Sequence, residues 1–319
     1  MCRAAPAGPR PPLYGARRRV RAGRCPGGRA GPALSLRPVT LLLMPPASRR
    51  SRRSRRYDPN RTGAAVRAQF AHVRDAVRTL TGEQLAAPVP GGWTVRELAV
   101  RLAEVPAEVG RVREAPEPRT KDTGPTDWAL GPAARTLAVG AAAGEPDAGE
   151  ADTREPAADL PDLPARYEEA AALLDRHLAA APAERLVDTG AGAMTWPDFL
   201  VTVAVRLVVH TDDLARATGR DVPLDRGALA ACTRLLADAL AAKAPGASTE
   251  VRVPPYAVVQ CVPGPRHTRG TPPSVVETDP LTWVRLATGR LAWDAALEDG
   301  RVSASGRRSD LGALLPLPG

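Results

Sequence analysis

Hydrophobic positions recur at helical spacing in five stretches between residues 61 and 245, and at strand spacing only after Gly246. In "TGAAVRAQFAHVRDAVRTL", Ala65, Phe70, Val73, Val77 and Leu80 fall near one helical stripe, and Thr81 and Gly82 stop it. "GGWTVRELAVRLAEV" sets Thr94 three residues before Glu97, the capping-box spacing, with Val95, Leu98, Ala99 and Leu102 as its buried face. "PDLPARYEEAAALLDRHLAAAP" predicts a third helix. "TWPDFLVTVAVRLVVHTDDLARATG" predicts a fourth, with its cap at Thr195 or Trp196, Pro197 in the first turn and Gly219 at the end. "DRGALAACTRLLADALAAKAPG" predicts the fifth. Residues 61–246 therefore read as an all-α bundle.

The texture then changes. "TEVRVPPYAVVQCV" is β-branched and partly alternating, so it predicts two short strands broken at Pro254 and Pro255. "ETDPLTWVRLATG" predicts a short helix capped by Asp279, with Pro280 first and Gly289 as the stop. "LAWDAALEDG" adds a helical turn or two, "RVSASG" a strand and "SDLGALLPL" a closing helix. Residues 247–319 thus predict a small α+β domain, and the fold class is α+β overall. So few residues make a poor independent core, which predicts that the domain packs on the bundle.

Two segments lack periodicity. Residues 1–60 are rich in Arg, Pro, Gly and Ala, and predict a disordered leader. Met44 lies close before the first foldable segment and is an alternative start. Residues 115–160, as in "GAAAGEPDAGEADTREPAADLP", predict a mobile loop with a short helix near 131–142.

Charge changes the picture only once it is located. The chain's net charge is +9, but residues 1–56 hold fifteen Arg and no acid, so the rest stands at −6. A basic protein raises nucleic acid as a partner; here the basic charge is confined to one tail, and no specific nucleic-acid partner is expected. Aromatic residues are only 3% of the 319, so Ala, Leu and Val do most of the packing. The excess of Arg over Lys, with abundant Ala, Gly and Pro, fits GC-rich bacterial coding. Cys2, Cys25, Cys232 and Cys261 have neither CxxC nor zinc-type spacing, which predicts reduced cysteines in a cytoplasmic protein. No apolar run is long enough for a transmembrane segment.

"WTVRELAVRLAE" and "RLVVHTDDLARATG" together resemble the DinB-like bundle of mycothiol-dependent maleylpyruvate isomerases. The resemblance implies a divalent metal held by a histidine at the end of the first motif and by Glu-x-x-x-His in the second. Residues four apart share a helical face, so such a pair converges on one ion. This chain has Arg101 at the first histidine position and Arg206 at the glutamate position, leaving only His210. Guanidinium offers a metal no lone pair and adds repulsion. No metal and no cofactor are expected. Arg206, His210 and Asp213 then read as an ion-pair network, with Asp213 held by Arg101 or Arg206 and His210 between them. The sharper alternative is an anion pocket gripped by Arg101, Arg206 and His210. In "GPRHTRGTPPS", Arg266, His267 and Arg269 make a basic loop that offers a further anion contact.

The segment Val275–Leu317 resembles the end of sterol carrier protein domains: an Asp-Pro helix from Asp279 to Gly289, a short helix from Ala295 to Gly300, then Val302 to Gly306. The whole combination resembles an actinobacterial group of sterol carrier family proteins. That resemblance implies an apolar ligand pocket between sheet and helices, and Val259, Val275, Trp283, Leu286 and Leu291 are the candidate lining. The expected function is non-catalytic binding or carriage of a small apolar or amphipathic, lipid- or sterol-like ligand. A thiol-dependent enzyme holding its metal differently and a ligand-free scaffold remain the alternatives.

Overall fold

The computed structural model describes residues 55–137, 162–179, 182–264 and 273–318. Ser54–Gly319 form one compact unit. Its helical part comprises α1 (Pro59–Val77), α2 (Gly82–Ala86), α3 (Val95–Ala103), α4 (Val105–Glu114), α5 (Pro125–Leu130), α6 (Leu163–Leu178), α7 (Trp196–Thr218) and α8 (Arg226–Lys243). Two small hairpins, β1 (Pro88–Val89) with β2 (Trp93–Thr94) and β3 (Leu186–Asp188) with β4 (Ala193–Thr195), deliver the chain into α3 and α7.

Local chemistry sets the helix ends. Asp58 caps α1 by accepting from Arg61 N at 2.8 Å. Thr94 and Glu97 form the expected capping box: Thr94 N donates to Glu97 Oε2 at 2.7 Å, and Glu97 N donates to Thr94 Oγ1 at 3.3 Å. Asp225 caps α8 through Ala228 N at 2.8 Å. Gly219 ends α7 at φ 66°, a left-handed conformation that costs glycine nothing.

α7 is buried on nearly every side, from Trp196 to Leu214, because α1, α3, α5 and α8 pack around it. A helix apolar on all faces belongs at the centre of its domain. Of the expected α1 stripe, Ala65, Phe70, Val73 and Val77 are buried, while Leu80 lies beyond the helix and is half-buried.

The C-terminal part holds β5 (Thr249–Val253), β6 (Ala257–Cys261), β7 (Val275–Thr278), α9 (Pro280–Ala287), α10 (Trp293–Glu298) and β8 (Val302–Ser305). The sheet order is β6-β5-β7-β8. β5 pairs antiparallel with β6 and parallel with β7, and β7 pairs antiparallel with β8. One face carries Val251, Val253, Val259, Val276 and Val302, all buried. The other carries Glu250, Arg252, Val258 and Glu277, where Arg252 pairs with both carboxylates. α8 packs on β6 and on α9, so the last bundle helix also belongs to the module's packing. The buried apolar side chains of both parts form one continuous core.

Two features differ from the sequence reading. Arg55, within the segment read as a leader, pairs with Asp238 at 2.9 Å, and α1 begins at Pro59; residues 1–54 lie outside the described set. In the Pro- and Gly-rich stretch an unexpected helix, α5, precedes a 3-10 turn at Pro132–Leu137, which falls within the range expected for a short helix. Trp128, Ala129, Ala134 and Leu137 are buried there. The segment before α5 is pinned to the β3–β4 hairpin, since Asp122 N and Thr123 N both donate to Ala193 O at 3.1 Å. Four buried apolar side chains and these bonds outweigh the turn-rich composition. The rest of that stretch, 138–161, lies outside the described residues.

Candidate functional site

Arg206, His210 and Asp213 share a stripe of α7, because residues at i, i+4 and i+7 face one way. Their partners outside α7 come from α4 and from the segment after α9. Arg206 is bidentate to Glu108 of α4, with both nitrogen–oxygen distances at 2.8 Å. His210 Nδ1 lies 3.2 Å from Asp213 Oδ2. Arg290, just beyond α9, donates from Nε to Asp213 Oδ1 and from Nη2 to Oδ2, both at 2.6 Å. Its Nη1 also donates to the Leu137 carbonyl. One position earlier on α7, Asp212 takes a matching pair from Arg285, at 2.8 and 2.6 Å.

The network expected on α7 is therefore present with different partners. Asp213 is held by Arg290 rather than by Arg101 or Arg206. Arg206 already has the Glu108 carboxylate, and Arg101 is exposed, with its guanidinium carbon 5.1 Å from the centre of the Trp93 ring. The pairing of Arg206 with Glu108 takes its charge out of an anion grip, while the Arg101 charge still acts on His210. Arg266, His267 and Arg269 lie outside the described residues.

One signal in the sequence pointed to the missing partners. Two adjacent acids, Asp212 and Asp213, cannot share one face of a helix. Both are nonetheless buried, so each needs its own cation. Arg285 and Arg290, flanking the Gly289 stop, supply them.

Burial dominates the electrostatics of His210 and holds its imidazole below the usual range. The bond and charge of Asp213 oppose that effect, and the charges of Arg290 and Arg101 add to it. His210 is therefore neutral near pH 7. Burial raises the Asp213 carboxyl, but bonds from His210 and Arg290, with Arg290's charge, outweigh it and leave the group below its ordinary value. Burial also pushes the Cys232 thiol up, which keeps it an inert thiol.

The family resemblance implies a metal, and the donor set does not fit one. Two of three positions carry guanidinium groups without lone pairs, so with Nδ1 bonded to Asp213 the set is reduced to one donor, His210 Nε2. Among the described residues, no three His, Cys, Asp or Glu side chains are placed to hold a metal ion.

The candidate apolar pocket is only partly assembled. Val259, Trp283 and Leu286 are buried. Val275 is placed differently: its register partner is Glu250, while Val259 pairs with Val251. Val275 therefore lies on the opposite, polar face of the sheet, because side chains alternate along a strand. Leu291 is half-buried beyond α9. Sequence reasoning missed Thr233 of α8. Its hydroxyl and the Trp283 indole nitrogen are buried without a hydrogen-bond partner among the described residues.

Comparison with known proteins covers both parts. Residues 66–215 match the family model of the mycothiol maleylpyruvate isomerase N-terminal domain. Residues 225–317 match that of the bacterial SCP ortholog, and this match takes in α8. Among solved structures, the mycothiol-dependent maleylpyruvate isomerase is similar at 17% identity, covering 82% of this chain and 96% of that one, with a TM-score of 0.49. A point mutant of the same enzyme gives 16% identity, the same coverages and a TM-score of 0.48. No curated protein matches. No helix among the described residues is long and apolar enough to cross a membrane. The chain thus joins a mycothiol maleylpyruvate isomerase-like helical domain to a bacterial sterol-carrier-type domain.

Proposed function

We propose that this protein binds or carries a small apolar or amphipathic ligand in its C-terminal part, with the helical bundle as a platform that has lost the metal chemistry of its relatives. The observation that carries this reading is the layer between the sheet and its helices. Val251, Val259 and Val276 on the sheet, with Trp283 and Leu286 on α9, form an apolar layer in the region that matches the bacterial SCP ortholog. Transferring a ligand methylene from water into such a layer gains about 0.8 kcal/mol before the costs of association. The state of α7 supports the same reading: its motif has become a fastening between the two parts, with Asp212 and Asp213 taken by Arg285 and Arg290.

The test is native mass spectrometry of the full chain after gentle extraction. The expected result is a co-purifying lipid-like mass that exchanges with added fatty alcohol or sterol. A chain that emerges empty and shifts with none of these ligands is not a carrier.

A further inference from the structure

Asp213 fixes the chemistry of His210. Its carboxylate takes two nitrogens of Arg290, both at 2.6 Å. Despite burial, the bonds from His210 and Arg290 keep the carboxyl below its ordinary value, so it is ionised at neutral pH. An ionised carboxylate only accepts hydrogen bonds. The contact of His210 Nδ1 with Asp213 Oδ2, at 3.2 Å, therefore places the imidazole proton on Nδ1. Nε2 keeps its lone pair. Oδ2 has two lone pairs and can serve His210 Nδ1 and Arg290 Nη2 together.

A neutral imidazole whose tautomer is set by a buried carboxylate on its other nitrogen is the base half of a hydrolytic triad. Both residues stand on α7, three positions apart and so on neighbouring points of one rigid helix. The ring is not sealed in: 15% of the His210 side chain is exposed, against 2% for Asp213. Burial and the charges of Arg290, beyond α9, and Arg101, of α3, favour the neutral ring, while Asp213 opposes them. Arg206 of α7 is taken up by Glu108 of α4. Positive charge beside a neutral base favours an anionic substrate. Arg101 is the exposed member of this group, with its guanidinium over the Trp93 ring.

We infer that His210 and Asp213 form a general-base dyad that hydrolyses small carboxylated esters, with His210 Nε2 taking a proton from water and Arg101 attracting the carboxylate. The inference is independent of the carrier reading, which concerns the C-terminal part. Water gives its proton to Nε2 as its oxygen bonds to the acyl carbon. The ester C–O bond then breaks, and the leaving oxygen takes that proton back from the imidazolium. Asp213 accepts from Nδ1 throughout and acts as the positioning residue. The balance closes with water and ester alone.

The test follows ester hydrolysis by the purified full chain at pH 7.5. One substrate is 4-acetoxy-3-nitrobenzoate, which carries a carboxylate; the other is 4-nitrophenyl acetate, which is neutral. The carboxylated ester should show the higher kcat/KM. His210→Gln should lose about a hundredfold or more of kcat, the lower end of what a positioned base contributes. His72→Gln, on α1, should keep the rate. Arg101→Gln should raise KM for the carboxylated ester by about two- to fivefold, the worth of an exposed charge pair, and leave KM for the neutral ester alone. Below pH 7, kcat should fall as His210 takes up a proton. Hydrolysis no faster than that by free imidazole at the same concentration, or a rate that H210Q keeps, overturns the dyad. Equal handling of the two esters by the natural chain and by R101Q overturns the carboxylated class. Should H210Q fail to fold, imidazole 15N shifts of the natural chain decide. Nδ1 should carry the proton and Nε2 should be bare; the opposite tautomer overturns the proposal. None of these outcomes bears on the carrier reading, which native mass spectrometry tests separately.

Discussion

Arg290 and Asp213, 77 positions apart, form a bidentate pair with both nitrogen–oxygen distances at 2.6 Å and side-chain exposures of 1% and 2%. The pair joins the helix that would carry the metal motif to the C-terminal module. It makes the two parts one packing unit.

Removing one partner leaves a buried charge. Arg290→Met should cost about 3–5 kcal/mol of unfolding free energy, the usual penalty for breaking a buried pair. Replacing both, as Asp213→Leu with Arg290→Met, should cost much less than the sum of the singles. Urea unfolding of the three variants measures both quantities.

Arg206 and Glu108 make the opposite case. Their geometry is as regular, but their side chains are 25% and 31% exposed. Water solvates either group when the other is removed, so Arg206→Ala should cost no more than about 1 kcal/mol. A loss comparable to that of R290M in the same urea series would show that exposure does not set the ranking.

His210 sets a pH dependence. Its folded proton affinity lies below the ordinary imidazole value of 6.5. The unfolded chain therefore binds more protons as the pH falls through 6.5, and acidification costs stability from there down to the folded value. Asp213 acts only further down, since its depressed carboxyl contributes stability above 3.8 that is lost at more acid pH. Unfolding free energy measured between pH 7.5 and 5.5 should fall, and His210→Gln should flatten that fall.

The guanidinium groups at the expected ligand positions predict metal content. The purified chain should hold far less than one zinc per molecule by elemental analysis. Arg101→His combined with Arg206→Glu should raise that figure. A stoichiometric metal in the natural chain would mean that other residues hold it.

Gly306, immediately after β8, has φ 96°, and a Cβ there would meet the Pro273 carbonyl oxygen at 2.2 Å. Gly306→Ala should lose at least about 1–3 kcal/mol from backbone strain alone. The thermal midpoint reads this loss.

Much of the fold was legible along the chain because it rests on local rules. Thr94 with Glu97, Asp279 with Pro280, and Gly219 after Thr218 act within one helical turn, and each stands where its spacing predicts. α5 was not legible because Pro, Gly and Asp spell a loop until Trp128 and Leu137 find a core to enter. The site was less legible. That Arg101 and Arg206 cannot ligate a metal follows from the side chains themselves. Where their charges go does not, because Trp93 and Glu108 reach them only through packing.

The sequence by itself determined the helices, their caps, the alternating strands and the guanidinium groups at two expected ligand positions, since each depends on residue type and short-range spacing. The tertiary structure alone decided three things. It gave Asp213 to Arg290, put Val275 on the polar face of the sheet, and left Trp283 Nε1 and Thr233 Oγ1 without a hydrogen-bond partner among the described residues. Each depends on which distant surfaces meet, and hydrophobic burial is non-directional, so no local pattern encodes it.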